Sequence, residues 1–300
     1  MGIFDSLLKG TSSEKTAGEL AADKATSIIK EMSGKELQID MKLPDNIILF
    51  MGASGGTGAS TLASNVAYTA LRKGFKTVMI DLNIMNPIQN VFMGVADTIA
   101  KDKADLVSFL LGKNDLGDSI ITNKPVHLLY ASDRSLQDAI KCNDSIAIEN
   151  FEQLIKSCKQ LYDVVIIDCP TRVDDMLCNT AMYHAESIYT VWDEGLGSVS
   201  NIERLRRDMS LSGIDAYTKV RAVLNKRTNI RYTNYPFQKL NIELIEIVPF
   251  TTDVIESSLR AEIFCDKGMS SSKNSEEFVR RIDSLTNKIL RIGGYVGNDH

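Results

Sequence analysis

The sequence has few of the residues that build metal clusters. Its 300 residues include three histidines and five cysteines, and no two cysteines form a C-x-x-C pair. Structural zinc and iron–sulfur sites need clustered thiolates, so the composition argues against both classes of protein. Scattered, unpaired cysteines are typical of a reducing compartment, and we therefore expect a cytoplasmic protein.

Long apolar runs and an excess of positive charge are absent as well. No apolar run approaches the ~18–20 residues that a membrane-spanning helix requires. The formal net charge of −5 argues against a protein whose whole surface binds nucleic acid, although it allows a local basic patch. Apolar residues make up 44% of the chain and charged residues 24%, as expected for a globular protein with a normal core.

Residues 1–44 differ in composition from the rest of the chain. A polar segment that ends at Pro44 follows a small apolar face at helical spacing, formed by Ile3, Phe4, Leu7 and Leu8. We expect residues 1–44 to form an extension outside a main domain that spans residues 45–300. Lys9 is the only cation near the apolar face, so attraction to anionic lipid would be weak. We therefore expect docking onto a partner or onto the main domain rather than autonomous membrane binding.

From Asn46 onward, short apolar runs alternate with segments of helical periodicity. The runs cover residues 47–51, 76–81, 126–131, 163–168, 187–192, 219–225 and 242–248. Helical spacing is clearest over residues 146–161, 199–211 and 276–290. Nearly continuous apolar strands that alternate with helices predict an α/β fold: one doubly wound, mostly parallel sheet of about seven strands, with helices on both faces.

A glycine-rich loop follows the first predicted strand. Its sequence reads MGASGGTGAST, and a helix is predicted to begin at about Ala59. Glycines permit backbone angles and close approaches that side chains would block. Successive N–H groups then form a nest for phosphate oxygens, strengthened by the helix N-terminus. Ser60 occupies the position of a hydroxyl that binds Mg²⁺. From this loop alone, an ordinary glycine-rich turn remains an alternative.

Two aspartates strengthen the phosphate-loop interpretation. Asp81 ends the second predicted strand, and Asp168 ends the fourth. A carboxylate at such a strand end, beside a phosphate loop, is where the Mg²⁺ shell is held in nucleotide-hydrolysing enzymes.

These segments resemble the MinD/ParA-type P-loop ATPases. The resemblance is carried by the strings SGGTGAST, VMIDLN and YDVVIIDCP, and later by AVLNK and IEIVPFTTDVIESSLRAEIF, which are similar to the family's adenine-side strands. It implies a homodimer, ATP or ADP with Mg²⁺ as cofactor, and Mg²⁺ held directly or through water by Ser60, Asp81 and Asp168. The implied nucleotide-binding residues are Gly55, Gly56, Thr57, Gly58, Ala59, Ser60, Thr61, Asn225, Pro249, Phe250 and Thr251.

The overall character is most similar to the CpaE/TadZ branch of this family. That resemblance implies protein partners at a membrane-associated assembly, with a role in pilus assembly and polar localisation. It also implies a location in the cytoplasm, peripheral to the inner membrane or at a cell pole.

The chain departs from the family pattern at three positions. Ser54 stands where the family has a signature lysine that reaches across a nucleotide-sandwich dimer, and Ala59 stands where the ordinary P-loop lysine would be. Asn83 replaces a second acidic residue that helps to orient the attacking water, a milder loss because an amide can also orient water. A missing cation can lower the hydrolysis rate by a factor on the order of 10³–10⁵. We therefore expect nucleotide binding with slow or absent hydrolysis.

Replacement cations could come from elsewhere in the chain. Four basic residues are considered, Arg72, Lys73, Arg134 and Lys141, and solvated surface charge is the simpler interpretation of each. A further basic and aromatic stretch spans residues 225–239 and could contact DNA. Because the whole chain is acidic, we favour a solvated connection there over a DNA-binding surface.

Three functions remain open. We favour an ATP-binding spatial organiser or scaffold, with slow or absent hydrolysis, that localises a pilus or secretion-type assembly. The second is an active partition or positioning ATPase whose missing cation is supplied by a partner. The third is a scaffold that has lost nucleotide binding and keeps the fold for protein contacts.

Overall fold

The apolar runs of the sequence form seven strands of one sheet. The protein is seen in a computed structural model that describes residues 46–95, 105–132, 136–172, 175–195, 197–228, 235–267 and 272–292. All six strand pairings are parallel, which confirms the predicted doubly wound fold. The strands are β1 (Ile47–Gly52), β2 (Thr77–Asp81), β3 (His127–Leu129), β4 (Val164–Asp168), β5 (Ser187–Trp192), β6 (Val220–Arg227) and β7 (Glu243–Pro249).

Helices connect the strands and cover the sheet. The longer ones are α1 (Ala59–Arg72), α6 (Ser145–Leu161), α7 (Met176–His184), α8 (Gly197–Leu211), α11 (Thr252–Leu259) and α13 (Lys273–Ile289). The shorter ones are α2 (Gln89–Phe92), α3 (Leu106–Leu110), α4 (Leu116–Ser119), α5 (Leu136–Lys141), α9 (Ala216–Lys219), α10 (Tyr235–Leu240) and α12 (Phe264–Lys267). Helix α13 begins earlier than its apolar spacing indicates, because the Ser272 hydroxyl accepts a hydrogen bond from the Ser275 amide.

Alternate residues of β1 face opposite sides of the sheet. Ile47, Leu49 and Met51 pack in one core cluster with α6 and α7. Ile48 and Phe50 pack in a second cluster with α1 and α13. Because side chains alternate along a strand and both faces are covered, every residue of β1 is buried. This two-sided burial explains why the strands appear in the sequence as continuous apolar runs.

The strand order places β1 at the switch point of the sheet. The order is β3-β2-β4-β1-β5-β6-β7, so the chain first winds outward from β1 to β3 and then returns to place β4 beside β1. A crevice opens beyond the carboxyl ends of the strands at such a point. The register pairs Asp81 of β2 with Asp168 of β4, which brings the two predicted carboxylates to this edge together.

The predicted extension over residues 1–44, with its face of Ile3, Phe4, Leu7 and Leu8, lies outside the described residues. Within the described part of the chain, no helix is both long enough and apolar enough to cross a membrane.

Candidate phosphate-binding site

A cavity of about 530 Å³ lies at the carboxyl edge of the sheet, between the phosphate loop and the turn that follows β7. All of the predicted nucleotide-binding residues line it, together with Ser54, Asn83 and Asp168. Asp81 is absent from the lining. The remaining lining residues are Gly52, Cys169, Pro170, Thr171, Lys226, Val254, Ile255, Ser258 and Phe278.

The glycines of the phosphate loop are required by its backbone. Gly56 and Gly58 have φ angles of +79° and +90°, a region that side chains disfavour. A Cβ on Gly58 would lie 2.5 Å from the side-chain nitrogen Nδ2 of Asn225. A Cβ on Gly52 would lie 2.6 Å from the Ser54 carbonyl oxygen. The loop therefore depends on these glycines for close packing as well as for backbone angle.

The N-terminus of α1 opens directly from this loop. Gly58 is the capping residue, and no side chain caps the first turn. The first intrahelical bond at this cap runs from the Leu62 amide to the Gly58 carbonyl, at 3.0 Å. The first N–H groups of a helix have no intrahelical acceptor, and the helix dipole adds partial positive charge there. This end of α1 is suited to a phosphate group.

Asp168 lies beside the loop in a polar cluster that is nearly closed to solvent. Its Oδ2 accepts a hydrogen bond from Gln89 Nε2 at 2.7 Å. Burial raises the pKa of Asp168 to about 7, and the charge of Asp81 adds to this rise. Hydrogen bonds from the Gln89 and Ser60 side chains act in the opposite direction. A cation bound beside Asp168 would offset the free-energy cost of burying its charged carboxylate, as expected of a Mg²⁺ ligand.

Asp81 is fully buried and its carboxylate is occupied by backbone groups. Oδ1 accepts from the Asn83 amide at 2.9 Å. Oδ2 accepts from the amides of Ile88 and Gln89, at 2.9 and 3.0 Å. Burial raises the pKa of Asp81, although these three bonds oppose the rise. In this arrangement Asp81 shapes the segment after β2, and its predicted contact with Mg²⁺ would have to pass through water.

The far side of the cavity is more apolar. The Asn225 amide nitrogen donates to the Thr57 carbonyl at 2.8 Å, which joins the end of β6 to the phosphate loop. Thr251 caps α11, and Phe250 and Ile255 leave part of their apolar surface exposed at the rim. An amide, an aromatic ring and aliphatic groups around one opening suit a planar base.

The three positions that depart from the family pattern also surround the cavity. Ser54 Oγ lies 3.4 Å from Ser198 Oγ, and the latter donates to Asp193 Oδ1 at 3.1 Å. Ala59 begins α1 and brings no charge, and Asn83 lies at the opening. The side chains at these three positions therefore all line the cavity, and none of them carries a charge.

Of the four cations considered from the sequence, the three that the structure describes are not in the lining of the cavity. Arg72 donates to the Cys265 carbonyl at 3.2 Å, and Lys73 pairs with Asp283 at 2.5 Å. Lys141 ends α5 away from the lining, and Arg134 lies outside the described residues. Among the described residues, Lys226 is the one cation in the lining, and its ammonium donates to the Gly56 carbonyl.

Sequence reasoning missed Lys226 and Gln89 as site residues. In the sequence, Lys226 belongs to the basic and aromatic stretch, and only its place directly after Asn225 points to the loop. Gln89 begins a short helix of four residues, whose sequence QNVF carries no recognisable signal. In the basic and aromatic stretch over residues 225–239, Phe237 is buried and packs edge-on against Trp192, with ring centroids 4.7 Å apart. Phe237 is thus a core residue and cannot stack on a nucleic-acid base.

The groups around the cavity fit a nucleotide polyphosphate with Mg²⁺. Free amides and a helix N-terminus meet the phosphate tail, Ser60 and Asp168 offer the oxygen ligands that Mg²⁺ prefers, and apolar groups meet the base. The buried Oε1 of Gln89, next to Asp168, has no hydrogen-bond partner among the described residues. A metal-bound water would satisfy this oxygen.

Comparisons with known proteins agree with this arrangement. The model of a family described as an AAA domain matches residues 45–230, which is more than half of the chain. The septum site-determining protein MinD of Thermotoga maritima is 25% identical, over 79% of this chain and 88% of that protein.

Solved structures show the same fold. MinD from Pyrococcus horikoshii, complexed with Mg-ADP, superposes with a TM-score of 0.66 at 20% identity, covering 81% of this chain and 95% of that one. A ParA family ATPase from Chlorobium tepidum gives a TM-score of 0.66 at 18% identity, covering 79% of this chain and 98% of that one. The match to the family model, supported by these likenesses, shows that the chain belongs to the MinD/ParA-type P-loop ATPases.

Proposed function

We propose that the protein is an ATP-responsive spatial organiser that binds ATP or ADP with Mg²⁺ and hydrolyses ATP slowly or not at all. One observation carries the proposal: the glycine-rich loop and the N-terminus of α1 line the same cavity as the Asp168 carboxylate, while the positions of both family lysines hold Ser54 and Ala59. The cradle supports binding, and the missing charges argue against efficient turnover.

Binding follows from groups that do not depend on a lysine. Backbone amides of the loop and the first turn of α1 donate to phosphate oxygens, and the helix dipole favours negative charge. Ser60 and Asp168 would hold Mg²⁺, which neutralises charge on the phosphates when it is bound. The Phe250 side of the cavity shields the base from water. These contacts form equally well with ATP and with ADP, apart from those at the γ-phosphate.

Slow hydrolysis follows from what the transition state needs. Phosphoryl transfer depends on fixed positive charge around the equatorial and leaving oxygens. Neither Ser54 nor Ala59 supplies it, and Asn83 can orient water but cannot accept its proton. The nucleotide then acts mainly as a ligand that orders the loops around the γ-phosphate.

An apolar surface beside the cavity is suited to bind a partner in a manner that depends on the bound nucleotide. This surface consists of Met85, Leu136, Ile140 and Met176, and each of these side chains is at least 45% exposed. It borders a second depression that shares Asn83 and Pro170 with the nucleotide cavity. We infer that a second copy of the chain covers it in the nucleotide-bound state, as the family resemblance implies. In the CpaE/TadZ branch, such a dimer would localise a pilus or secretion-type assembly.

The second candidate is an active partition or positioning ATPase completed by a cation from a partner. The open phosphate loop favours it, because a partner side chain could enter where Ser54 and Ala59 leave space. Phosphate release that appears only when the partner is added would support this candidate over the first.

The test combines three readouts on one set of samples. ATP and ADP are titrated with Mg²⁺ into wild type, Asp168→Ala and the control Asp118→Ala, an exposed aspartate on α4. Binding heat, molecular mass and phosphate release are measured together. We expect wild type and the control to bind both nucleotides, to gain mass with ATP and to release little phosphate. Asp168→Ala should bind more weakly. Wild type that binds neither nucleotide would favour the nucleotide-free scaffold instead.

A further inference from the structure

We propose that Lys226, near the end of β6, adds a positive charge beside the phosphate loop that strengthens nucleotide binding. This charge attracts the polyphosphate tail of the nucleotide, and the Lys226 contact holds the loop that carries the tail. The inference deepens the proposed function and rests on it.

The position of Lys226 brings its side chain over the loop. Its ammonium donates to the Gly56 carbonyl, and its Cε lies 3.6 Å from where a Cβ on Gly58 would stand. The aliphatic part of the side chain therefore crosses the second half of the loop. The absence of a side chain at Gly58 leaves room for this crossing.

The backbone of β6 is deformed where it directs Lys226 toward the loop. Lys226 has a φ of +55°, in the left-handed region that non-glycine residues seldom occupy. The pairing of β6 with β7 shifts register between Leu224 and Arg227, which is the same place. Irregularities of this kind re-aim side chains near functional sites, and strained angles persist where the surrounding structure holds them. A regular continuation of β6 would not place the residue after Asn225 in this way.

Lys226 and Asn225 together orient the loop amides. They hold the consecutive carbonyls of Gly56 and Thr57, through the Lys226 ammonium and through the Asn225 amide at 2.8 Å. In a planar trans peptide the N–H points opposite to the C=O. The N–H groups of Thr57 and Gly58 are therefore directed away from β6, and neither donates to a described residue. Lys226 thus both adds charge and fixes donors for an anion.

In the part of the chain that the structure describes, Lys226 forms no ion pair. A cation beside a cavity that receives a polyphosphate should contribute more as the number of phosphate charges rises. The expected ligand class is accordingly a nucleoside triphosphate or diphosphate, with little contribution of Lys226 to a monophosphate.

The experiment measures affinity for ATP, ADP and AMP in the presence of Mg²⁺ by calorimetry, at two salt concentrations. The variants are Lys226→Ala, Lys226→Arg and the control Lys239→Ala, an exposed lysine on α10 outside the cavity lining. We expect Lys226→Ala to weaken ATP binding about tenfold or more, the effect of losing one hydrogen bond to a charged group. ADP should lose less and AMP little. Lys226→Arg should stay close to wild type, and Lys239→Ala should be unchanged.

The salt dependence gives a second readout on the same samples. Lys226→Ala should respond less to added salt than wild type, because one screened attraction has been removed. Circular dichroism and the thermal midpoint confirm that each variant is folded, and Lys226→Arg tests the charge should Lys226→Ala not fold. Equal loss of ATP, ADP and AMP affinity, or no loss in Lys226→Ala while wild type binds, overturns the role of Lys226 alone. Wild type that binds no nucleotide overturns the proposed function and this inference together.

Discussion

Gln89 Nε2 lies 2.7 Å from Asp168 Oδ2 and 3.0 Å from the Ser60 carbonyl oxygen, and donates to both. Gln89 also anchors the segment after β2, because its amide donates to Asp81. One buried side chain thereby connects that segment to β4 and to the first turn of α1. A ligand that moves Ser60 or Asp168 would therefore also shift residues 82–89 through Gln89.

Replacing Gln89 should weaken this connection measurably. Gln89→Leu keeps the approximate size but removes both hydrogen bonds that Nε2 donates, one of them to the buried Asp168 carboxylate. We expect the free energy of unfolding in urea to fall by about 1–3 kcal/mol. Gln238→Leu, on the exposed side of α10, is the matched control and should change little. Equal stability of the two variants would show that the Gln89 bonds contribute nothing.

The buried charge of Asp168 should make the nucleotide-free protein less stable at high pH. Its pKa is about 7 in the folded protein, against about 4 in an unfolded chain. Between these values the folded state binds more protons than the unfolded state, so stability falls as pH rises through this window. Asp168→Asn removes the penalty. Its thermal midpoint without Mg²⁺ should exceed that of wild type at pH 8, and the difference should shrink toward pH 5.

Asp163→Asn serves as the control for this experiment. Asp163 precedes β4 at the opposite end of the strand and accepts from the Lys76 amide at 2.7 Å. Asparagine keeps an oxygen that can accept from the Lys76 amide, and its introduction relieves no fully buried charge, so the midpoint should not rise. A pH-independent difference between Asp168→Asn and wild type would contradict the raised pKa.

Two glycine substitutions separate backbone strain from collision. Gly58 and Gly213 both have positive φ, at +90° and +75°. An added Cβ at Gly58 would collide with the Asn225 amide at 2.5 Å, whereas at Gly213 it would meet nothing within 4 Å. Gly213→Ala should therefore cost about 1–2 kcal/mol of stability and leave ATP binding intact. Gly58→Ala should break the contact between the Asn225 side chain and the loop and abolish ATP binding. Calorimetric titration of ATP into each folded variant measures the affinity.

Restoring the lysine at the start of α1 should restore turnover. Ala59→Lys places a cation at the position of the ordinary P-loop lysine, where it can stabilise charge in the transition state. We expect phosphate release to rise by a factor on the order of 10², comparable to the effect of one well-placed donor. Ala59→Gln adds a side chain of similar reach without charge and should stay near wild type. Equal rates in the two variants would mean that charge at this position does not limit hydrolysis.

The sheet could be predicted because its signal is local. Strands buried on both faces, such as β1 and β4, are continuous apolar runs, and the glycine-rich loop between β1 and α1 has a spacing that few other structures share. Asp168, the last residue of β4, could be placed at this edge of the sheet from the strand pattern, whereas Asn225 in β6 is implied by the family resemblance.

The rest of the site depends on contacts between distant segments. The contact of Lys226 with the loop requires a register shift in β6, which no pattern of residue types announces. Gln89 is buried because the chain folds back onto Asp81, and in the sequence it resembles a surface residue of a short helix. The occupation of Asp81 by backbone amides is likewise visible only in three dimensions.

Retention of γ-labelled ATP tests the central claim most directly. Wild-type protein is mixed with Mg²⁺ and the labelled nucleotide, recovered by rapid gel filtration at intervals over several hours, and assayed for label still in ATP and label released as phosphate. The account predicts that label stays with the protein as intact ATP, and that Asp168→Ala retains much less. No retention by wild type, or rapid conversion of the bound label to free phosphate, would contradict it.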